Sequence, residues 1–273
     1  MSTETCFHHH DRATGRHCTR CGRPACAECL HQASVGSHCW ECIKAARPPT
    51  HERVRRSLTT RPLLVTQALI VTNAVVFFLS AGYSSRGNRL MERLVEFGPY
   101  IANDGEWWRL ITAGFVHFSI LHILFNMFIL YQIGLVLESA IGPGRFASIY
   151  FASLLTGSLG AMILDPLVAS GGASGAVFGI GAAATYALSR RGVRFWDTGF
   201  GPLLLFNLGL GFVVSNVSVG AHIGGLIGGV ICAAAMIRPS HSRHGPLSGY
   251  LIVFLVAAGS FAAALAVAAM EVP

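Results

Sequence analysis

The sequence predicts an all-α polytopic membrane protein: a six-helix core with a seventh, C-terminal transmembrane helix, preceded by a small zinc-binding domain. Three observations carry that prediction. Hydrophobic residues make up 52% of the 273-residue chain and charged residues only 12%, about half the share of an ordinary soluble domain. Apolar runs near the length that carries a helix across a bilayer recur through the body of the chain. The first 60 residues are polar instead and hold seven of the eight cysteines in regularly spaced pairs.

The apolar runs fall at roughly 62–83, 117–137, 145–164, 171–188, 201–216, 219–237 and 249–270. The fifth is short and opens on Gly201-Pro202, which suits a tilted or partly re-entrant segment. Four regions follow: a head at 1–46, a basic linker at 47–61, a six-span core at 62–240, and a C-terminal seventh helix at 241–273.

The net charge of +7 comes almost entirely from arginine, Lys44 being the only lysine. The arginines cluster between apolar runs rather than along one face, so the basicity does not predict nucleic-acid binding. Arg53, Arg55, Arg56, Arg61, Arg145, Arg190, Arg191, Arg194, Arg238 and Arg243 fall on one side of the seven-span chain. The other side holds Arg86, Arg89, Arg93 and Arg109, diluted by Glu92, Glu96, Asp104 and Glu106. The positive-inside rule then predicts a multi-pass cell-membrane protein with a cytoplasmic N-terminus and an outside C-terminus.

In the head, Cys6-x2-His9, Cys18-x2-Cys21, Cys26-x2-Cys29 and Cys39-x2-Cys42 form four pairs, each with the gap that lets a tight turn present two ligands to one ion. Eight ligands suit two tetrahedral zinc ions. The segment is too poor in apolar residues to bury a core, so metal binding would supply most of its folding free energy. A reducing cytoplasm and an odd cysteine count argue against disulfides. The order of the pairs resembles the B-box type of zinc-binding domain, which implies that the first and third pairs hold one ion and the second and fourth the other. His8, His10 or His38 remains an alternative to His9 or to one of the later cysteines.

In the body, Gly172-Ala173-Ser174-Gly175 opens the fourth run and Ala221-His222 opens the sixth. A serine between small residues at a helix start leaves room for a peptide backbone and points its own amide toward a developing oxyanion. His222 lies near the same outer side, and Gly225 and Gly229 continue its helix face at i+3 and i+7 toward a neighbour showing Gly175 and Gly179. A nucleophile and a base on two crossing membrane helices suggest proteolysis within the bilayer. His122 and Asn126 share a helix face and could both donate hydrogen bonds toward one point. Small-residue packing and interhelical bonding are the structural alternatives for each motif alone.

Together, His117-x4-His122-x3-Asn126, Gly172-x-Ser174-Gly175 and Ala221-His222-x2-Gly225-x3-Gly229 resemble, in that order, the rhomboid family of intramembrane serine proteases. Glu106-x-Trp108-Arg109 resembles the Trp-Arg motif of the family's first loop. The resemblance covers about residues 60–240, and a cysteine-rich head on such a body resembles an actinobacterial arrangement. It implies a Ser174 nucleophile, a His222 base, and an oxyanion bound by His122, Asn126 and the Ser174 amide. It also implies a dyad with no carboxylate, matching the lack of Asp or Glu in the seven runs. Phe178 matches an aromatic position that stacks on the base. Glu106, Trp108, Arg109, His117, Gly225 and Gly229 take architectural roles.

The expected substrates are single-span proteins in the lipid bilayer, weakened near the outer face so that they unwind into the site. No cofactor is expected for catalysis, the two zinc ions being structural, and the head is expected to bind a protein partner or regulate assembly. His-Glu-x-x-His and paired intramembrane aspartates are missing, which excludes the metallo- and aspartyl intramembrane proteases. The alternative reading is a non-catalytic membrane chaperone or adaptor on the same fold.

Overall fold

The computed structural model describes residues 4–33, 35–46, 63–80, 89–211, 218–237 and 246–271. The basic linker predicted at 47–61 lies outside them, as do Arg53, Arg55, Arg56, Arg61, Arg86, Arg238 and Arg243. The chain divides into two compact units, Met1–Thr59 and Thr60–Pro273.

The first unit is a set of turns rather than a core. Two short strands, β1 (Leu30–Gln32) and β2 (Ser37–Cys39), pair antiparallel with Leu30 opposite Cys39, and α1 (Trp40–Ala46) follows directly. The tight turn after Cys18 closes through the Gly22 amide donating to the Cys18 carbonyl at 2.8 Å. Its buried apolar cluster amounts to Cys6, Ala25, Cys26 and Cys29, with Phe7 and Leu30 against them.

The second unit is helical, and each predicted apolar run holds one helix. These are α2 (Leu64–Ser80), α6 (Ile120–Ile141), α7 (Pro143–Leu164), α8 (Ser174–Ser189), α9 (Phe200–Gly211), α10 (Val219–Met236) and α11 (Pro246–Glu271). By length and apolar composition α6, α7, α10 and residues 247–271 of α11 can each cross a membrane, while α2 and α8 are shorter apolar helices. Between α2 and α6 the described residues include three short helices, α3 (Arg89–Leu94), α4 (Gly98–Asn103) and α5 (Arg109–Thr112).

α10 packs most extensively against α7 and α8, and α11 lies on α7 and α10. The main core runs through Leu130, Ile133, Leu137, Phe146, Tyr150, Ile180 and Cys232. Glu138 modifies the expectation of carboxylate-free spans: α6 continues past the predicted end at residue 137 and carries this side chain 1% exposed. Its two carboxyl oxygens accept the Val65 and Thr66 amides at 2.9 Å and the Thr66 hydroxyl at 2.6 Å. A carboxylate at the start of α2 satisfies amides that no intrahelical carbonyl can reach, which is why a charge is tolerated there.

Candidate active site

Ser174 is the first residue of α8, so its amide and those just after it have no carbonyl partner within the helix. The turn that delivers it depends on Gly172, whose φ of +142° disfavours any side chain; a Cβ there would also meet the His122 ring at 3.0 Å. The Gly172 amide donates to the Ala113 carbonyl at 2.9 Å, tying the turn to the end of the first loop.

His222 sits in the first turn of α10, 4% exposed, with the Phe178 ring stacked on it at 4.1 Å and 17°. The helices that carry the two residues touch backbone to backbone. A methyl group at Gly225 would overlap the Gly175 carbonyl, and one at Gly229 the Gly179 carbonyl. Only glycine permits that approach. The pair itself is not closed by a hydrogen bond: both ring nitrogens of His222 are buried without a partner among the described residues. Substrate-free catalytic groups are commonly looser than in the reacting complex.

His122 faces Ser174 across a cavity of about 30 Å³ that both line. Ser119 caps α6 by accepting the His122 amide at 3.2 Å, which fixes where the imidazole leaves the helix. His117 packs edge-on against the His122 ring at 4.9 Å, and Phe118 lies parallel to it at 6.5 Å. Asn126 is buried one turn further along and does not line the cavity; its side-chain amide donates to the His122 carbonyl at 3.0 Å.

The first loop is organised by Arg109, 3% exposed. Its Nε donates to Glu106 at 2.6 Å, its Nη1 to the carbonyls of Glu92 and Val95, and its guanidinium lies over the Tyr100 ring at 4.5 Å. Charge-assisted bonds to one carboxylate and two loop carbonyls hold α3, α4 and α5 together. Trp108 donates from Nε1 to the Arg93 carbonyl at 3.4 Å.

The head brings together two donor sets, Cys6, His9, Cys26 and Cys29, and Cys18, Cys21, Cys39 and Cys42, each with its ligand atoms within 4.8 Å of one another. Each set could hold a metal ion. Of the adjacent histidines, His9 is the one that turns inward, its Nδ1 lying 3.4 Å from the sulfurs of both Cys26 and Cys29.

Three residues of the cavity at Ser174 are absent from the site that sequence reasoning predicts. Glu96, Ser158 and Ser218 line it with Ser174. Ser218 caps α10 by accepting the Ala221 amide at 3.1 Å, and Ser158 donates to the Leu110 carbonyl at 2.7 Å. Burial pushes the Glu96 carboxyl up to about 8, against an opposing pull from the Ser158 hydroxyl. The cap at Ser218 could have been found from its place before an apolar run; Glu96 is one loop carboxylate among several.

Residues 104–239 match the Rhomboid domain. The chain is similar to Rhomboid protease GluP of Bacillus subtilis (strain 168), 39% identical over 198 residues, 70% of this chain but 38% of that relative. It is also 32% identical to Putative rhomboid protease YdcA of the same organism, over 52% of this chain and 73% of the relative. A third likeness is Rhomboid protease GlpG of Haemophilus influenzae, 33% identical over 50% of this chain and 74% of the relative. With most of two relatives' length matched at that identity, this chain belongs to the rhomboid family.

Proposed function

We propose that the protein is an intramembrane serine endopeptidase that cleaves single-span membrane proteins near the outer membrane face with Ser174 and His222. The observation that carries this reading is the placement of Ser174 at the head of α8, against the α10 helix whose His222 is held by Phe178, with His122 on the same cavity. In that reading His222 takes the Ser174 proton as the hydroxyl attacks the scissile carbonyl. His122 and the Ser174 amide then stabilise the oxyanion, and Asn126 joins them once its amide swings off the His122 carbonyl. Aromatic stacking replaces the carboxylate that orients the base in a triad. Gly172 and Gly175 let the Ser174 turn lie close against the His122 ring and the Ala221 carbonyl.

The orientation that fits this chemistry places the N-terminal head in the cytoplasm, with the multi-pass body in the cell membrane and the C-terminus outside. Zinc suits both donor sets of the head. Ligands at about 2.3 Å around a tetrahedral ion stand about 3.8 Å apart, and the sulfurs of Cys21 and Cys39 are 3.8 Å apart. Four protein ligands leave no open coordination position, so the ions would be structural and the peptidase chemistry needs none of them. The head then serves a protein partner or assembly.

A fluorophosphonate probe tests the dyad directly. Wild type in lipid is expected to be modified on Ser174, Ser174→Ala not at all, and His222→Ala about a hundredfold more slowly or worse. Equal labelling of the three proteins, or none, would favour the chaperone or adaptor reading.

A further inference from the structure

Glu96 enters none of the chemistry above, yet it is built into the same cavity. Its backbone pairs with Ser170 in both directions, amide to carbonyl at 2.9 Å each way, pinning the first loop to the segment that leads to Ser174. The residue is 3% exposed, and its Oε1 has no hydrogen-bond partner among the described residues. A buried carboxyl oxygen left unpaired is costly, so native structures satisfy it with protein or water. The cavity of about 30 Å³ that Glu96 shares with His122, Ser158, Ser174 and Ser218 has room for about two waters and offers them several polar partners.

We propose that Glu96 is a positioning residue of this site, holding water in the cavity beside Ser174 for the step that releases the acyl group. The proposal rests on the peptidase reading. In that step a water delivered from the cavity bonds through its oxygen to the acyl carbon while one of its protons passes to His222. The ester bond to Ser174 Oγ then breaks, the proton moves from His222 to Oγ, and the carboxylic acid product leaves. Glu96 supplies geometry only, through a neutral carboxyl that offers one donor and one acceptor to the water.

The ionisable surroundings fit a neutral carboxyl. Among the described residues, His122 from α6 is the other ionisable side chain lining the cavity. Arg109 of α5 is turned to Glu106 and the carbonyls of Glu92 and Val95, and Glu92, Arg93 and Asp165 are exposed. His222 of α10 and His117 before α6 do not line it. Burial has already raised the carboxyl to about 8, and above that pH a carboxylate would stand beside the forming oxyanion and oppose it.

The test uses the full chain in lipid and reads two rates: turnover of a single-span substrate, and fluorophosphonate labelling of Ser174, which needs no hydrolytic water. Glu96→Leu is expected to lower kcat about tenfold or more, keep labelling within about twofold, and accumulate acyl-enzyme visible by intact mass. Glu96→Gln keeps a donor and an acceptor but cannot ionise; it is expected to restore most of the turnover and to lack the wild-type decline above pH 8. Wild-type turnover in Glu96→Leu, parallel loss of turnover and labelling in it, or an unchanged alkaline decline in Glu96→Gln would overturn the proposal. If Glu96→Leu does not fold, the Glu96→Gln profile decides alone. A wild type that neither labels nor cleaves overturns the peptidase reading, and this proposal with it.

Discussion

Gly225 shows how a single atom can govern the site. A side chain there would meet the Gly175 carbonyl, forcing apart the two helices that present Ser174 and His222. Gly225→Val is therefore expected to destabilise by about 1–3 kcal/mol, read as a lowered unfolding midpoint in detergent, and to abolish labelling of Ser174. Residues of this kind are legible in the sequence because both helices are regular: Gly225 follows His222 by three and Phe178 follows Ser174 by four, spacings that put each pair on one face. Glu96 is not legible for the converse reason. It reaches the cavity through a loop that doubles back on Ser170, and no periodicity reports which of Glu92, Glu96 or Glu106 turns inward. Asn126 shares the His122 face as its spacing implies, but its amide is turned to the helix's own carbonyl.

At the level of elements, the apolar runs located α2 and α6 to α11 among the described residues because long apolar segments are strong signals, whereas the loop helices α3, α4 and α5 are set by contacts to Arg109 that sequence does not display. The end of α6 was hidden by Glu138, which reads as the charge that stops an apolar run. In the structure it continues the helix and anchors the start of α2. Glu138→Ala leaves two amides and a hydroxyl without their acceptor, at a cost of roughly 2–4 kcal/mol. Thermal unfolding in detergent should show that loss, while labelling of Ser174 well below the midpoint should persist, because Glu138 does not line the cavity at Ser174.

For the whole molecule, two kinds of stabilisation operate in one chain. The body is held by close helix packing, whereas the head has a buried cluster of little more than its own cysteines. A membrane-permeant zinc chelator is therefore expected to remove two metal ions per chain and render the head sensitive to limited proteolysis, with cleavage of a membrane substrate unchanged. Retention of a protease-resistant head without metal would contradict that division. Acidity acts on the body instead. Glu96 is neutral when folded up to about pH 8 but ionises near its ordinary value of 4.5 when unfolded, so its contribution to stability is full below 4.5 and is lost as pH rises through 8. The most direct measurement of the central claim is cleavage of a panel of single-span proteins by purified full-length protein in liposomes, with products identified by mass. Wild type should cut at least one near the outer face, and Ser174→Ala and His222→Ala should cut none while remaining folded; an intact panel, or cutting that survives either substitution, would contradict it.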